Sequence, residues 1–201
     1  TGISKKIVYD LFDGVESDLK ERMQLNSKKD LLIYSYRVAG TVGLMMAKIL
    51  DVKNKNALKG AIDLGIAMQL TNISRDVIED AGNNRFYIAK NLSSIKETLK
   101  LADLFYESSF ASIKEIPLNF RFSILVARRV YRKIGHNILG KKNIESYENS
   151  GKIYVSNIDK IIQTILSIFD LIKLLFIKSG DHLRYNEHLI INEEINLNER
   201  F

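Results

Sequence analysis

Gln69-Leu70-Thr71-Asn72-Ile73-Ser74-Arg75-Asp76-Val77-Ile78-Glu79-Asp80 carries two aspartates four residues apart, preceded by amide side chains at Gln69 and Asn72. Residues four apart on a helix share a face. At about 100° per residue, Gln69, Asn72, Asp76 and Asp80 fall in one narrow polar stripe. Ile62, Ile66, Leu70, Ile73 and Val77 form an apolar stripe directly beside it, and Arg75 and Glu79 lie further round. A solvated face is normally centred opposite the core. This polar stripe instead borders the apolar sector, as a wall between core and cavity would. Paired carboxylates pack poorly but suit a hard cation, and oxygen-only ligands fit Mg²⁺, which keeps waters and shares itself with substrate phosphates. The plain alternative is a wet helix face. Against it stands the length of the pattern, which runs on through Arg85 and Tyr87.

Outward from this helix the periodicity stays helical, and no stretch alternates convincingly with period two. The pattern predicts helices at about 5–23, 28–50, 55–81, 94–115, 119–140 and 155–178. Ser94 to Glu97 reads as a capping box, Asn119 after Pro117 as a start, and Ser156 to Asp159 as another opening. Residues 82–93 and 141–154 read as loops. The chain divides into a single helical domain, 1–178, and a polar tail, 179–201, that forms a short helix or stays disordered. One proline and 11 glycines permit long helices in an all-α bundle.

Composition narrows the chemistry. The 201 residues contain no Cys, which excludes disulfides, zinc–thiolate sites and a thiol nucleophile. The net charge of +6 favours anions: nucleic acid, acidic lipid or a diphosphate. The lysines are scattered among Asn and Ile and form no aromatic-interleaved platform, so nucleic acid is not expected. Arg121, Arg128 and Arg132 share a helical stripe with Arg129 and Lys133 nearby, read as a solvated face, with a membrane-surface or acidic-partner patch as the alternative. Residues 161–177 are the most apolar window. Gln163, Asp170 and Lys173 interrupt it, which favours a buried or peripheral helix over a membrane span. His136, His182 and His188 have no metal-ligand spacing, and Ser35 and Ser74 no His/Asp partners. No signal peptide is expected from the N-terminal composition.

A second block is Tyr34-Ser35-Tyr36-Arg37-Val38-Ala39-Gly40-Thr41-Val42-Gly43-Leu44-Met45. Its Ala39, Gly43 and Ala47 make a small-residue stripe, which serves either close helix packing or room for a long apolar chain. The two blocks together resemble the squalene/phytoene synthase family, the head-to-head prenyl diphosphate synthases, with wording closest to the bacterial phytoene synthases. The run from Asn72 to Tyr87 is similar to the family's second aspartate-rich motif, and the second block to its tyrosine-rich helix. Weaker similarity reaches Val155, Ser156 and Lys160. Asn84 and Ala89 stand where the family commonly has Gly and Pro. The family's first aspartate-rich motif belongs to an earlier helix, and this chain begins beyond it, so weak or absent activity is expected of this chain alone.

The resemblance implies an isoprenoid-synthase helical bundle around a central cavity. It also implies a transferase that joins two prenyl diphosphates through a cyclopropyl diphosphate, geranylgeranyl diphosphate giving phytoene. Asn72, Asp76 and Asp80 would hold Mg²⁺, with Mn²⁺ as the alternative cation, and Asn72 either ligates or hydrogen-bonds. Arg75 and Arg85 would bond to diphosphate or to the carboxylates. Gln69 would sit near the metal and Tyr87 close over it. Val38, Ala39, Val42 and Gly43 would line the apolar pocket with Tyr34 above, its ring able to stabilise a carbocation; for Tyr36 a core position is the competing reading. NADPH is not expected, because no dinucleotide fingerprint is present. A cytoplasmic protein is expected, with peripheral contact at the inner membrane face as a variant; the oligomeric state is not readable. The alternatives are a squalene or dehydrosqualene synthase using farnesyl diphosphate, a non-catalytic prenyl-synthase-like scaffold or assembly protein, and a basic helical nucleic-acid-binding module.

Overall fold

The computed structural model describes residues 2–178 and 183–201. The bundle is built round its longest helix. In chain order the elements are α1 (Lys5–Ser17), β1 (Met23–Gln24), α2 (Lys28–Ser35), a π-helical turn (Tyr36–Gly40), α3 (Thr41–Ile49), α4 (Lys55–Gly82), β2 (Arg85–Phe86) and α5 (Leu92–Phe110). A 3₁₀ turn (Ala111–Glu115), α6 (Leu118–Leu139), α7 (Ile144–Glu148), α8 (Asn157–Phe176), α9 (Asn186–Glu194) and a final 3₁₀ turn (Leu197–Glu199) complete it. The all-α class follows from the sequence pattern. α4 carries the core: Ile62, Ile66, Ala67, Leu70 and Ile73 are nearly or fully buried, and α5, α6 and the α2–α3 unit pack around it.

The departures from the sequence reading have local causes. The first helix stops at Ser17 because Met23 and Gln24 pair in parallel with Arg85 and Phe86, a contact between distant segments that helical periodicity does not reveal. The stretch 82–93, expected as loop, holds that partner strand. The run 28–50 is interrupted at Tyr36–Gly40 by the π turn, a local widening that often accompanies functional sites. α5 is capped by Asn91, whose side chain accepts from the Ser94 amide, and not by a box at Ser94. Leu118 begins α6, with Pro117 as its cap residue. Asn143 forms a capping box for the short α7 inside the predicted loop 141–154. Ser156 caps α8 as expected, accepting from the Asp159 amide at 3.0 Å.

The arginine stripe is not a solvated face. Arg128 is buried at 6% exposure, with Nε and Nη2 donating to the Tyr106 carbonyl. Arg129 forks onto Asp170, Arg132 reaches Asp103 and Glu107, and Arg121 donates to the Ile116 carbonyl. α8 is peripheral and turned inside out: Ser167, Asp170 and Leu174 face inward, while Ile158, Ile161, Phe169 and Phe176 are exposed. Among the described residues no helix is long and apolar enough to cross a membrane.

Residues 183–201 form a strap, not a loose tail. Ile191, Ile195 and Leu197 are buried in the core. Arg200 donates to both oxygens of the buried Asp10, at 2.9 and 3.0 Å, and Asp10 also accepts from Tyr36. Lys28 pairs with Glu187, Lys29 with Glu194 and Lys6 with Glu199. Buried Asp63 receives Ser108 at 2.7 Å and Arg184 at 2.9 Å, with His188 Nε2 at 3.2 Å. His188 is therefore structural, and His136 is exposed; His182 lies outside the described residues. Breaking a buried pair leaves an uncompensated charge. Arg200→Met is expected to cost about 2 kcal/mol in urea unfolding and to speed hydrogen exchange across 186–200. Lys6→Gln, which touches only an exposed pair, should leave both unchanged.

Candidate functional site

The polar stripe of α4 sits where its spacing predicts. Gln69, Asn72, Asp76 and Asp80 are half-buried, and Ile62, Ile66, Leu70, Ile73 and Val77 are buried beside them. Gln69 and Asn72 reach the lip of an apolar cleft of about 320 Å³ between α3, α4, the 3₁₀ turn after α5 and α6. Val38, Ala39, Val42 and Gly43 line its wall, as do Gly65 and Ile124. The cleft approaches the helix backbones closely. A Cβ on Gly43 would lie 2.2 Å from the Ala61 carbonyl oxygen, and one on Gly65 2.2 Å from that of Ala39. The small residues therefore serve close packing and pocket space together.

At the carboxylate end, Arg75 forks onto its neighbour Asp76, Nε to Oδ1 at 2.8 Å and Nη2 to Oδ2 at 2.6 Å. Lys152 adds a second cation, 3.5 Å from Asp76 and 2.8 Å from Glu79. The buried Tyr147 hydroxyl lies 2.9 and 2.8 Å from the Ser74 and Arg75 carbonyls and pins the helix backbone at this point. Asp80 has no such fork. Burial, then the charge of Asp76, push its carboxyl up to about 6, while Arg85 pulls the other way. Arg85 is brought there by the β1–β2 pairing.

Tyr34, expected above the apolar pocket, and Tyr87, expected over the metal site, lie against each other. Their rings stack at 4.8 Å. Both hydroxyls converge on Asp18, Tyr34 at 2.9 and 3.0 Å and Tyr87 at 2.8 Å, and Tyr34 also donates to Tyr87 at 3.1 Å. Burial pushes both phenols well above their ordinary range. Tyr34 thus stands in a Tyr–Tyr–Asp cluster and not among the residues lining the apolar cleft. Tyr36 is fully buried on Asp10, the core position. Asp18, Lys152 and Tyr147 escaped the sequence reading. Asp18 ends a helix 16 residues before Tyr34 and 69 before Tyr87; the packing of α1 on the π turn beside Tyr34 and the strand pairing beside Tyr87 bring those segments together.

The donor set fits a hard divalent cation. The described residues hold no group of three or more His, Cys, Asp or Glu side chains poised for a metal; the α4 stripe itself offers two carboxylates and an amide. That number suits an ion that keeps water and shares phosphate oxygens. Asn72 Oδ1 is buried with no hydrogen-bond partner among the described residues, an acceptor left without a donor, and burial and Asp76 hold the Asp80 carboxyl up despite Arg85 beside it. Asp80 ionises in the folded state near pH 6, above its ordinary 3.8, so the folded protein holds the proton more tightly. Its charge therefore opposes folding above about pH 6, and the penalty vanishes below about pH 4. Without divalent cation, Asp80→Asn is expected to raise the urea midpoint at pH 7.5. The gain is about 1 kcal/mol or less, because half-exposure screens the effect, and it should disappear at pH 4.

Comparison with known proteins gives a concordant result. Residues 1–93 match the family model described as squalene/phytoene synthase. The chain is 36% identical over 155 residues to a phytoene synthase of Pseudescherichia vulneris, covering 67% of this chain and 50% of that protein. It is 36% identical over 154 residues to the 15-cis-phytoene synthase of Pantoea ananas, covering 66% and 50%. Identity to the chloroplastic phytoene synthase 1 of Arabidopsis thaliana is 32% over 180 residues, covering 76% and 42%. The chain thus spans about half the length of these relatives. A crystal structure of a dehydrosqualene synthase in complex with ligand superposes with a TM-score of 0.66 at 27% identity, covering 85% of this chain and 66% of that one.

Proposed function

The chain belongs to the squalene/phytoene synthase family, and from that premise we propose that it condenses two prenyl diphosphates head to head, geranylgeranyl diphosphate giving phytoene through a cyclopropyl diphosphate. One observation carries this reading: Gln69 and Asn72, on the same half-buried stripe of α4 as Asp76 and Asp80, line the apolar cleft walled by Val38, Ala39, Val42 and Gly43, and Asp80 lies further along the helix in a small recess with Arg85 and Tyr87. A diphosphate head and a hydrocarbon tail need these two surfaces side by side.

Asp76 and Asp80, with Asn72, would hold Mg²⁺ or Mn²⁺, which when bound neutralises the leaving diphosphate as a Lewis acid. Arg75 fixes the Asp76 carboxylate by its fork, and Lys152 lowers the cost of the acidic cluster. Arg85 supplies positive charge beside Asp80. Gln69 gives the cleft lip a polar contact for the head group. Tyr34 and Tyr87, kept protonated by burial, close the polar end with Asp18. The apolar wall excludes the water that would quench an allylic cation.

Farnesyl diphosphate is the second substrate reading, favoured by the likeness to a dehydrosqualene synthase. The outward apolar face of α8 supports peripheral contact with a membrane, where such amphiphilic substrates and hydrocarbon products partition. The test is product analysis with labelled farnesyl and geranylgeranyl diphosphates, Mg²⁺ and no reductant, on this chain and on a form extended to the relatives' length. A C40 hydrocarbon supports the phytoene reading and a C30 hydrocarbon the farnesyl one. No hydrocarbon from either form, with helical circular dichroism intact, points to a non-catalytic relative.

A further inference from the structure

A second cleft, of about 420 Å³, lies between α5, α6 and α8 and shares no lining residue with the apolar one. Five cationic side chains line it, Arg128, Arg129, Arg132, Lys133 and Lys173, against the carboxylates of Glu107 and Asp170. Three of the five are neutralised locally. Arg129 forks onto Asp170, Arg132 binds Asp103 and Glu107, and Lys133 lies 3.4 Å from Asp159. Arg128 and Lys173 have no carboxylate partner among the described residues. Arg128 is more than nine-tenths buried. Its Nε and Nη2 share one carbonyl oxygen, that of Tyr106, and its Nη1 makes no hydrogen bond among the described residues. Lys173 is exposed at the cleft edge. Both cations lie against the same ring: Arg128 Cζ is 4.9 Å and Lys173 Nζ 5.3 Å from the Phe110 centroid.

Two cations without a bonded carboxylate on one aromatic ring repel each other, and a buried guanidinium bonded only to a carbonyl is costly. Burial, then Arg132, lower the hold of Arg128 on its proton to about 10; Asp170 opposes this in part and Arg129 adds to it. A dianionic oxyanion between the two would relieve both strains. Arg128 would offer Nη1, and Lys173 a mobile point charge. We propose that this cleft is an anion site for a phosphate-class oxyanion, held between Arg128 and Lys173. The chemistry is shared by free diphosphate and by the headgroup phosphate of an acidic phospholipid, the latter brought near by the exposed Ile168, Phe169 and Ile172 of α8. The proposal does not depend on the prenyl-transfer reading.

The experiment follows the arginine Nε–H signals of ¹⁵N-labelled protein by NMR during titration with inorganic diphosphate in EDTA, so that no metal-dependent site contributes. The Arg128 signal is expected to shift saturably, and Lys173→Gln to weaken binding about tenfold, a usual loss for one charge-assisted bond. Asp76→Asn should leave this titration unchanged, which separates it from the proposed metal site. Arg128→Lys, which keeps the charge and removes the fork, is the second variant if it folds. In parallel, flotation compares phosphatidylglycerol with phosphatidylcholine vesicles. Diphosphate binding lost in Lys173→Gln supports the site with a free ligand. Vesicle binding lost in Lys173→Gln, with diphosphate silent, supports it with a headgroup ligand. If Lys173→Gln alters neither diphosphate binding nor vesicle flotation, the proposal is wrong.

Discussion

Asp76→Ala and Asp80→Ala, each alone, are expected to lower turnover by about 10³-fold in any form of the protein that makes hydrocarbon, the scale seen when a preorganised charge stabiliser is removed from an active site. Both side chains are half-buried at the edge of α4, and neither is packed in the core, so circular dichroism should be unchanged. The two losses should differ in kind. In the proposed metal site Asp76 would be the fixed ligand, held by Arg75 and approached by Lys152, so its removal should weaken metal-assisted diphosphate capture as well as its departure. Asp80 would be the poised ligand of that site, with no fork among the described residues and a raised pKa, and its removal should fall mainly on kcat. Arg75→Lys keeps the charge but loses the bidentate geometry, and a loss of about 10–100-fold is expected, as for residues that orient metal ligands. Turnover within tenfold of the parent in both alanine variants would remove the metal-site assignment.

The sequence was most informative where neighbours along one helix decide the geometry. The faces of α4 follow from spacing alone, so the carboxylate stripe and its apolar flank could be placed before any tertiary contact was known. Val38, Ala39, Val42 and Gly43 line the cleft, as the resemblance implied. What remained hidden was long-range. Asp18 meets Tyr34 and Tyr87 through the packing of α1 on the π turn and the pairing of two-residue strands, and strands that short leave no alternating pattern. Lys152 reaches Asp76 from a segment that reads as polar loop. The strap at 183–201 reads as polar because its charges are spent on specific partners: Arg200 on Asp10, Arg184 on Asp63, Glu187 on Lys28.

The arginine stripe shows the same limit from the other side. Helical spacing placed Arg121, Arg128 and Arg132 on one face correctly, but spacing does not say whether that face meets water or another helix. α8 lies against it and contributes Asp170 to Arg129. α8 in turn buries its polar residues there and turns its isoleucines outward. α8 is the peripheral helix of the two expected forms, and its apolar face points outward because its inner neighbour is a cationic helix, where Asp170 offsets the charge of Arg129 as an isoleucine could not.

Gly65→Ala is expected to destabilise the fold by about 3 kcal/mol, since overpacking against rigid neighbours lies at the upper end of such costs. An added Cβ would lie 2.2 Å from the Ala39 carbonyl oxygen, 2.7 Å from its carbon and 3.0 Å from the Gly40 nitrogen. All three are backbone atoms, so no side chain can rotate away, and α4 must move off the π turn. The intrinsic preference of a helix for Ala over Gly returns only about 1 kcal/mol. Gly43→Ala meets the Ala61 carbonyl at the same 2.2 Å and should behave alike. Gly82→Ala is the control: nothing lies within 4 Å of its added Cβ, and stability should stay within about 0.5 kcal/mol of the parent. The contact also has a functional reading, because Ala39, Gly43 and Gly65 all line the apolar cleft. A variant that folds by pushing α4 outward should widen the cleft and change its affinity for a long-chain prenyl probe, whereas simple loss of stability would leave affinity per folded molecule unchanged. Urea unfolding together with probe titration separates the two, and a Gly65→Ala protein as stable as the parent would mean that the two backbones are not in contact.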